Sequence, residues 1–202
     1  MDENDKKNLA LLNSIMQKYC PTEKDCEAIE KKCPKVLMST SRRVSGWGML
    51  LPNLDLQNYF WVFYGEKGRL VKNPAKCDFT YYYDENDRLL LTKRKYAESE
   101  LGLIYYYHYD NYIDMFWYTP ERNYSIKEKN ISAVGRIEMS DGVLSRFIYS
   151  ELSCVTSVED YIEHLFSKKT NKVTVHSYYS ADGFLEESSS YKIRDFEMGK
   201  II

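Results

Sequence analysis

The chain has 202 residues, is 44% hydrophobic and 29% charged, and carries a formal charge of −2 at neutral pH. Such a composition excludes a disordered or collagenous protein, and the near-neutral charge argues against wholesale nucleic-acid binding. Nineteen tyrosines stand out; tyrosine favours pleated, half-buried surfaces and carries a polar tip, so the excess points to β structure and to surfaces able to bind.

The opening MDENDKKNLALLNSIMQKYC is too charged for a signal peptide, and no apolar run reaches the length of a membrane span. A cytoplasmic protein with reduced thiols is the expectation. The five cysteines fit it, being odd in number and without a CxxC pair. Cys20, Cys26 and Cys33 match no standard zinc spacing, and no metal or cofactor is expected.

Within residues 3–19, Leu9, Leu12, Ile15, Met16 and Tyr19 recur at helical spacing, and Pro21 stops the helix. Thr22 and Asp25 suit the start of a second helix, 23–33, which closes at Pro34. Residues 36–58, with SGWGMLLPNLDLQ, read as a strand plus loop against one sheet edge.

From Tyr59 onward one motif recurs: aromatic strand, polar pair, second strand. The pairs are Lys67-Gly68, Asn86-Asp87, Asp110-Asn111, Asp141-Gly142 and Asp182-Gly183. Most are Asp, Asn or Gly, which accept the positive φ of a two-residue type I′ turn, so about five hairpins are expected. A turn at Asn86-Asp87 sets Glu85 opposite Arg88, Asp84 opposite Leu89, Tyr83 opposite Leu90 and Tyr82 opposite Leu91. A turn at Asp110-Asn111 sets Tyr105 opposite Phe116, Tyr106 opposite Met115 and Tyr107 opposite Asp114. Large residues then fall on both faces, as in a central hairpin or one facing a partner.

TSVEDYIEHLFSKK, before the last hairpin, has a Thr156-x-x-Glu159 capping box and places Tyr161, Ile162, Leu165 and Phe166 on one helical face. The expected fold is α+β: N-terminal helices (1–35), then a large twisted antiparallel β-meander (36–202) with a helix at about 157–168, all in a single domain 1–202. The polar strand around ESSSYK suits an edge.

YYYDENDRLL and, in part, FYGEKGRLV resemble the tyrosine-aspartate repeat of Rhs-type shell proteins. More broadly, a small tyrosine-rich antiparallel β-protein with helical ends and no catalytic motif resembles the immunity proteins of bacterial polymorphic toxins. That second resemblance implies a non-catalytic partner of a toxin and carries over no residue roles.

The chain has no phosphate-binding glycine loop, HExxH or GxSxG. His108 lies near Asp110 and Asp114, but the register turns it away from Asp114. His164 and His176 read as packing or surface residues. The basic groups Arg42-Arg43, Lys93-Arg94-Lys95 and Lys168-Lys169 are scattered among acids. The remaining functional feature is aromatic and acidic: Tyr105, Tyr107 and Asp114 on one face of the third hairpin, Glu121 beyond it, and Glu186 and Glu187 on the last. Tyrosine anchors ringed by carboxylates fit a basic protein partner such as a toxin domain. The expectation is therefore protein binding as an immunity protein, covering the toxin's active site or an essential surface. The alternatives are a cytosolic small-ligand-binding β-barrel and an enzyme with an unrecognised polar site.

Overall fold

The computed structural model describes residues 2–40, 69–95, 101–118, 131–141, 143–151, 157–167, 169, 172–178 and 187–192. Two helices, α1 (Glu3–Lys18) and α2 (Glu23–Lys32), start on reciprocal capping boxes, Asp2 with Asp5 and Thr22 with Asp25. Each box satisfies amides that a helix start leaves without intrahelical partners. Cys33 closes α2 in an extended conformation, as the residue before Pro34 must. No described helix is long and apolar enough to cross a membrane.

Antiparallel strands make up most of the rest: β1 (Lys35–Thr40), β2 (Arg69–Leu70), β3 (Phe79–Tyr83), β4 (Leu89–Lys95), β5 (Leu101–His108), β6 (Tyr112–Tyr118), β7 (Ile131–Ser140), β8 (Val143–Glu151), β9 (Tyr161–Ser167), β10 (Lys172–Tyr178) and β11 (Glu187–Lys192). This is the expected α+β meander with N-terminal helices. The chain forms two compact units whose boundary falls inside β5, after Tyr106. One holds residues 2–20, 107–117 and the described residues from 131 onward; the other holds 21–40, 69–95, 101–106 and 118. The helical segment is thereby divided, α1 to the first unit and α2 to the second.

In the first unit the strand order is β11-β10-β9-β8-β7-β6, with the polar β11 at the end, as expected of an edge. Helix α1 lies on β7 and β8 and buries Leu12, Ile15, Met16 and Tyr19. Full burial of such a side chain contributes about 1.5–3 kcal/mol. Register pairs Glu138 with Arg146 and Arg146 with Leu165, so by alternation Arg136, Glu138, Arg146, Tyr161 and Glu163 share the face that meets α1. The Arg146 Nη2 donates to Asn8 Oδ1 at 2.5 Å, Tyr161 donates to Asp5 at 2.7 Å, and Asn13 exchanges hydrogen bonds with the Val158 backbone. Gly135, Phe147, Tyr149 and His164 occupy the opposite face, where the Phe147 and Tyr149 rings stack on the imidazole at 5.8 and 5.9 Å.

In the second unit the order is β5-β4-β3-β1-β2, and α2 lies against β4. Glu30 accepts from Lys93 at 2.6 Å and from Tyr82 at 2.8 Å, tying the helix to β3 and β4. Phe79, Tyr81 and Tyr83 are buried on the other face of β3, where Tyr81 bonds Ser39 at 3.1 Å. Consecutive burial from Gly102 to Tyr106, and from Ile113 to Met115 and Phe116, shows both faces of β5 and β6 covered.

Three local expectations change. The second hairpin turns on three residues: the Asp84 amide donates to the Arg88 carbonyl at 3.0 Å and the Asp87 amide to the Asp84 carbonyl at 3.1 Å. Only Asp87 takes positive φ, 58°, the pattern of a type I turn followed by a left-handed residue. The Asp84 carboxylate selects it by accepting from the amides of Asn86 and Arg88 and from Arg88 Nε. Tyr82 still faces Leu91, but a bulge sets Tyr83 opposite Leu89, and Arg88 pairs with Asp84 instead of Glu85. At the third and fourth hairpins the chain reverses where expected, Tyr109 donating to the Tyr112 carbonyl at 2.9 Å and Ser140 pairing with Val143. Asp141 takes positive φ, 54°, but Asp110 and Asn111 do not, so the third turn is not the expected type I′.

The second change concerns the helix expected at about 157–168, which is instead strand β9. Its apolar spacing fits a helix, but hydrogen-bonding strands stand on both sides, β8 and β10. As a strand it sets Glu163, nearly inaccessible, against Arg146 at 2.6 Å, and Tyr161 against Asp5. Third, β9 and β10 pair as a further hairpin, Ser167 opposite Lys172, that no polar pair announced. The pairs Lys67-Gly68 and Asp182-Gly183, and Thr156 of the expected cap, lie outside the described residues.

Gly135 is required by space. A Cβ there would stand 2.9 Å from the Ile148 carbonyl oxygen and 3.0 Å from Tyr149 Cβ. Backbone cannot yield cheaply, so Gly135→Ala is expected to cost about 1–3 kcal/mol in urea unfolding; an unchanged midpoint would contradict this packing.

Candidate functional site

The described polar and aromatic groups converge most densely where the C-terminus of α1 meets the β5–β6 turn and β7, wholly within the first unit. Tyr19, the C-cap of α1, is extended (φ −106°, ψ 141°), with its amide still bonded to Ile15. Its ring stacks on Tyr107 at 3.8 Å between centroids. Tyr109 and Tyr112 flank the two-residue turn and stack on each other at 4.5 Å. The Met139 amide donates to the Asn111 carbonyl at 2.8 Å and ties the tip to the end of β7.

Asp114 lies at the centre, with 0% exposure. One oxygen accepts from Arg136 Nε at 2.7 Å and the other from the Tyr19 hydroxyl at 2.9 Å, with Lys18 Nζ at 4.0 Å. Burying a lone carboxylate costs several kcal/mol, so these partners are a condition of the fold. The Tyr19 proton is committed to Asp114, so in the 2.5 Å contact between hydroxyls Tyr109 donates to Tyr19, while Lys18 donates to Tyr109 at 2.5 Å. The chain of donors thus runs from solvent inward to one carboxylate. Lys18 also lies 4.3 Å from the Tyr109 ring centroid, and the Arg136 guanidinium 3.9 Å from that of Tyr112.

The hydrogen bond from Lys18 holds the Tyr109 phenol below the ordinary tyrosine range and holds Lys18 itself above the ordinary lysine range. Burial, then the bonds to Tyr109 and Asp114, push Tyr19 far upward. On the opposite sheet face, burial lowers His164 to about 4.

Of the residues expected to bind a partner, Tyr107 and Asp114 do come together, through Tyr19. Asp114, however, is interior. Tyr105 is interior too, 2% exposed, with its hydroxyl donating to the Thr22 carbonyl at 3.0 Å in the second unit. Neither offers side-chain area to a partner: the strands carrying them are covered on both faces. Glu187 falls in β11, and Glu121 and Glu186 lie outside the described residues. Lys93 is spent on Glu30, and Arg94 lies over the Phe79 ring at 5.5 Å. Among the described residues no group of His, Cys, Asp or Glu gathers as a metal site.

Lys18, Tyr19, Tyr109, Tyr112 and Arg136 are the members that sequence reasoning missed. Tyr109 and Tyr112 were legible as residues flanking a turn, but nothing local tells which ring stays outside. Comparison of the chain with known protein families, with curated proteins and with solved structures finds no match.

Two measurements probe the charges. Asp114→Asn leaves Arg136 without its counter-charge and is expected to cost about 3–5 kcal/mol in urea unfolding; a loss under 1 kcal/mol, about the worth of an exposed pair, would contradict the buried geometry. His164 is depressed in the folded state, so the unfolded chain takes up its proton first. The resulting stability is complete above about pH 6.5 and falls by up to about 3 kcal/mol as pH drops to about 4. Unfolding midpoints between pH 7 and 4 should follow that slope, and His164→Gln should flatten it.

Proposed function

We propose that this is a non-catalytic protein-binding protein, specifically an immunity protein that neutralises a cognate bacterial toxin by covering its active site or an essential surface. Tyr109 carries this reading. The residue is 39% exposed, yet its ring is held at a hairpin tip by the Tyr112 stack and by hydrogen bonds with Lys18 and Tyr19. Interfaces draw much of their energy from a few aromatic anchors, and an anchor already fixed loses little freedom on binding. Exposed Asp110, Asn111, Ser140 and Asp141 supply the polar rim such anchors have.

The cluster's polar groups are bound to one another, with Tyr19 and Asp114 buried, which suits a fixed recognition surface more than proton transfer to a substrate. The barrel alternative calls for strand closure, whereas β11 pairs with β10 alone among the described residues. The expectation of a basic toxin surface drew on Asp114, whose charge Arg136 compensates internally; Asp110 and Asp141 are the carboxylates left at the tip.

A toxin-like reading frame is expected directly upstream of this gene, and the test is co-expression with that neighbour. Toxicity relieved by the wild-type chain is expected, with Tyr109→Ala weakening the complex by about thirtyfold, the loss typical of a hot spot. Because Tyr109 also stacks on Tyr112 and bonds Lys18 and Tyr19, some melting temperature is lost with it, and binding is compared where circular dichroism shows both proteins folded. A harmless neighbour, or a Tyr109→Ala variant that binds and protects like wild type, would sink the proposal.

A further inference from the structure

Two arginines stand on the α1 face of the first unit at nearly equal burial, and they are used differently. Arg146, 18% exposed, commits all three nitrogens: Nε to Glu163 at 2.6 Å, Nη1 to Glu138 at 2.9 Å and Nη2 to Asn8 at 2.5 Å. Arg136, 17% exposed, commits Nε alone, to Asp114. Neither of its Nη atoms has a hydrogen-bond acceptor among the described residues. A guanidinium has five N–H donors in a rigid fork, and the Nη donors of Arg136 are not among the buried polar atoms left without a partner, so they stay open to solvent and to an incoming acceptor. Positive charge gathers around Asp114, while Arg146 on the same face meets the two carboxylates Glu138 and Glu163. Arg136 and Lys18 flank one carboxylate from its two oxygens, giving two positive charges against one negative, and Lys18 is 48% exposed.

We propose that the Nη edge of Arg136, with Lys18 across Asp114, is an oxyanion seat that receives a carboxylate side chain of the protein partner beside Tyr109. This rests on the protein-binding reading and names the chemistry of the partner: an acidic side chain next to the surface that accepts the Tyr109 ring. The fork matches a carboxylate through two parallel hydrogen bonds. Asp114 holds one edge of the guanidinium and Tyr112 one face, so the plane is set before binding. Lys18, bonded to Tyr109 and half-exposed, adds a second charge near the solvent.

Nitrogen-15 NMR of the full chain tests the seat without mutation, titrating sodium acetate against sodium chloride at matched ionic strength. Acetate should saturably shift the Arg136 Nε–Hε signal and the Tyr112 ring protons, leave Arg146 in place, and bind several-fold more weakly to Lys18→Met. Shifts no larger than with chloride, or equal shifts at Arg146, overturn the seat. Arg136→Lys keeps a charge near Asp114 but loses the fork and the Tyr112 stack, so some stability goes with it; at a temperature where circular dichroism shows the variant folded, the toxin complex should weaken about tenfold. Unchanged affinity in that variant overturns the assignment to a partner carboxylate. Loss of the complex in Tyr109→Ala without an acetate response rejects the seat and leaves protein binding intact. An acetate response without a toxin partner supports the seat and rejects that reading.

Discussion

A carboxylate with no access to water organises the first unit. Asp114 on β6 is held by Arg136 from β7 and by Tyr19 from the end of α1, so three elements distant in sequence are fixed around one charge. Removing either partner leaves part of a buried charge uncompensated, which makes the arrangement close to all-or-none. The consequences run outward. Tyr19, turned in toward Asp114, offers its face to Tyr107 and its oxygen to Tyr109, and Lys18 follows. The exposed ring at the hairpin tip is thus positioned by a charge it does not touch.

The same device recurs in simpler form. Glu163 and Arg146 fix β9 against β8 and, through Asn8, against α1; Glu30, Lys93 and Tyr82 fix α2 in the second unit. Tyrosine suits such a structure, since each ring fills volume while its hydroxyl satisfies a neighbour. Tyr81 bonds Ser39, Tyr106 bonds Thr92, and Tyr105 bonds the Thr22 carbonyl. Among the described residues the tyrosines are therefore mainly interior. Tyr109 differs in that its hydrogen bonds point inward while part of its ring stays in solvent. That combination of rigidity and exposure, more than tyrosine content, supports a recognition role.

Polar groups satisfied inside also shape what the surface can do. Arg146 is saturated and Arg136 is not, although both stand on one sheet face at similar depth. A guanidinium with its orientation set by a carboxylate and a ring, and two nitrogens still open, is a prepared donor site for an anion. Its proximity to Tyr109 through the Tyr112 stack places anchor and charge on one surface.

The amino-acid sequence by itself determined the helices, their stops and the alternation of strands with turns, because these depend on neighbours a few residues apart. Thr22 can cap only the amides just ahead of it, Pro34 ends α2 wherever α2 packs, and Asp141 marks a reversal through its own φ. Even so, Asp84 recruited Arg88 and lengthened a turn that composition alone left at two residues. What only the tertiary structure decided were the properties set by partners far along the chain. YIEHLF carries helical spacing, yet became β9 because β8 and β10 offered hydrogen bonds on both edges and Arg146 a counter-charge for Glu163. Asp114 and Tyr105 read equally well as surface or core until burial made the choice. No local pattern pairs Arg136 with Asp114 or draws the end of α1 to the third hairpin, since 22 residues separate the first pair and 95 the bond from Tyr19 to Asp114. Such contacts are chosen by the free energy of the whole assembly, which no short stretch of sequence contains.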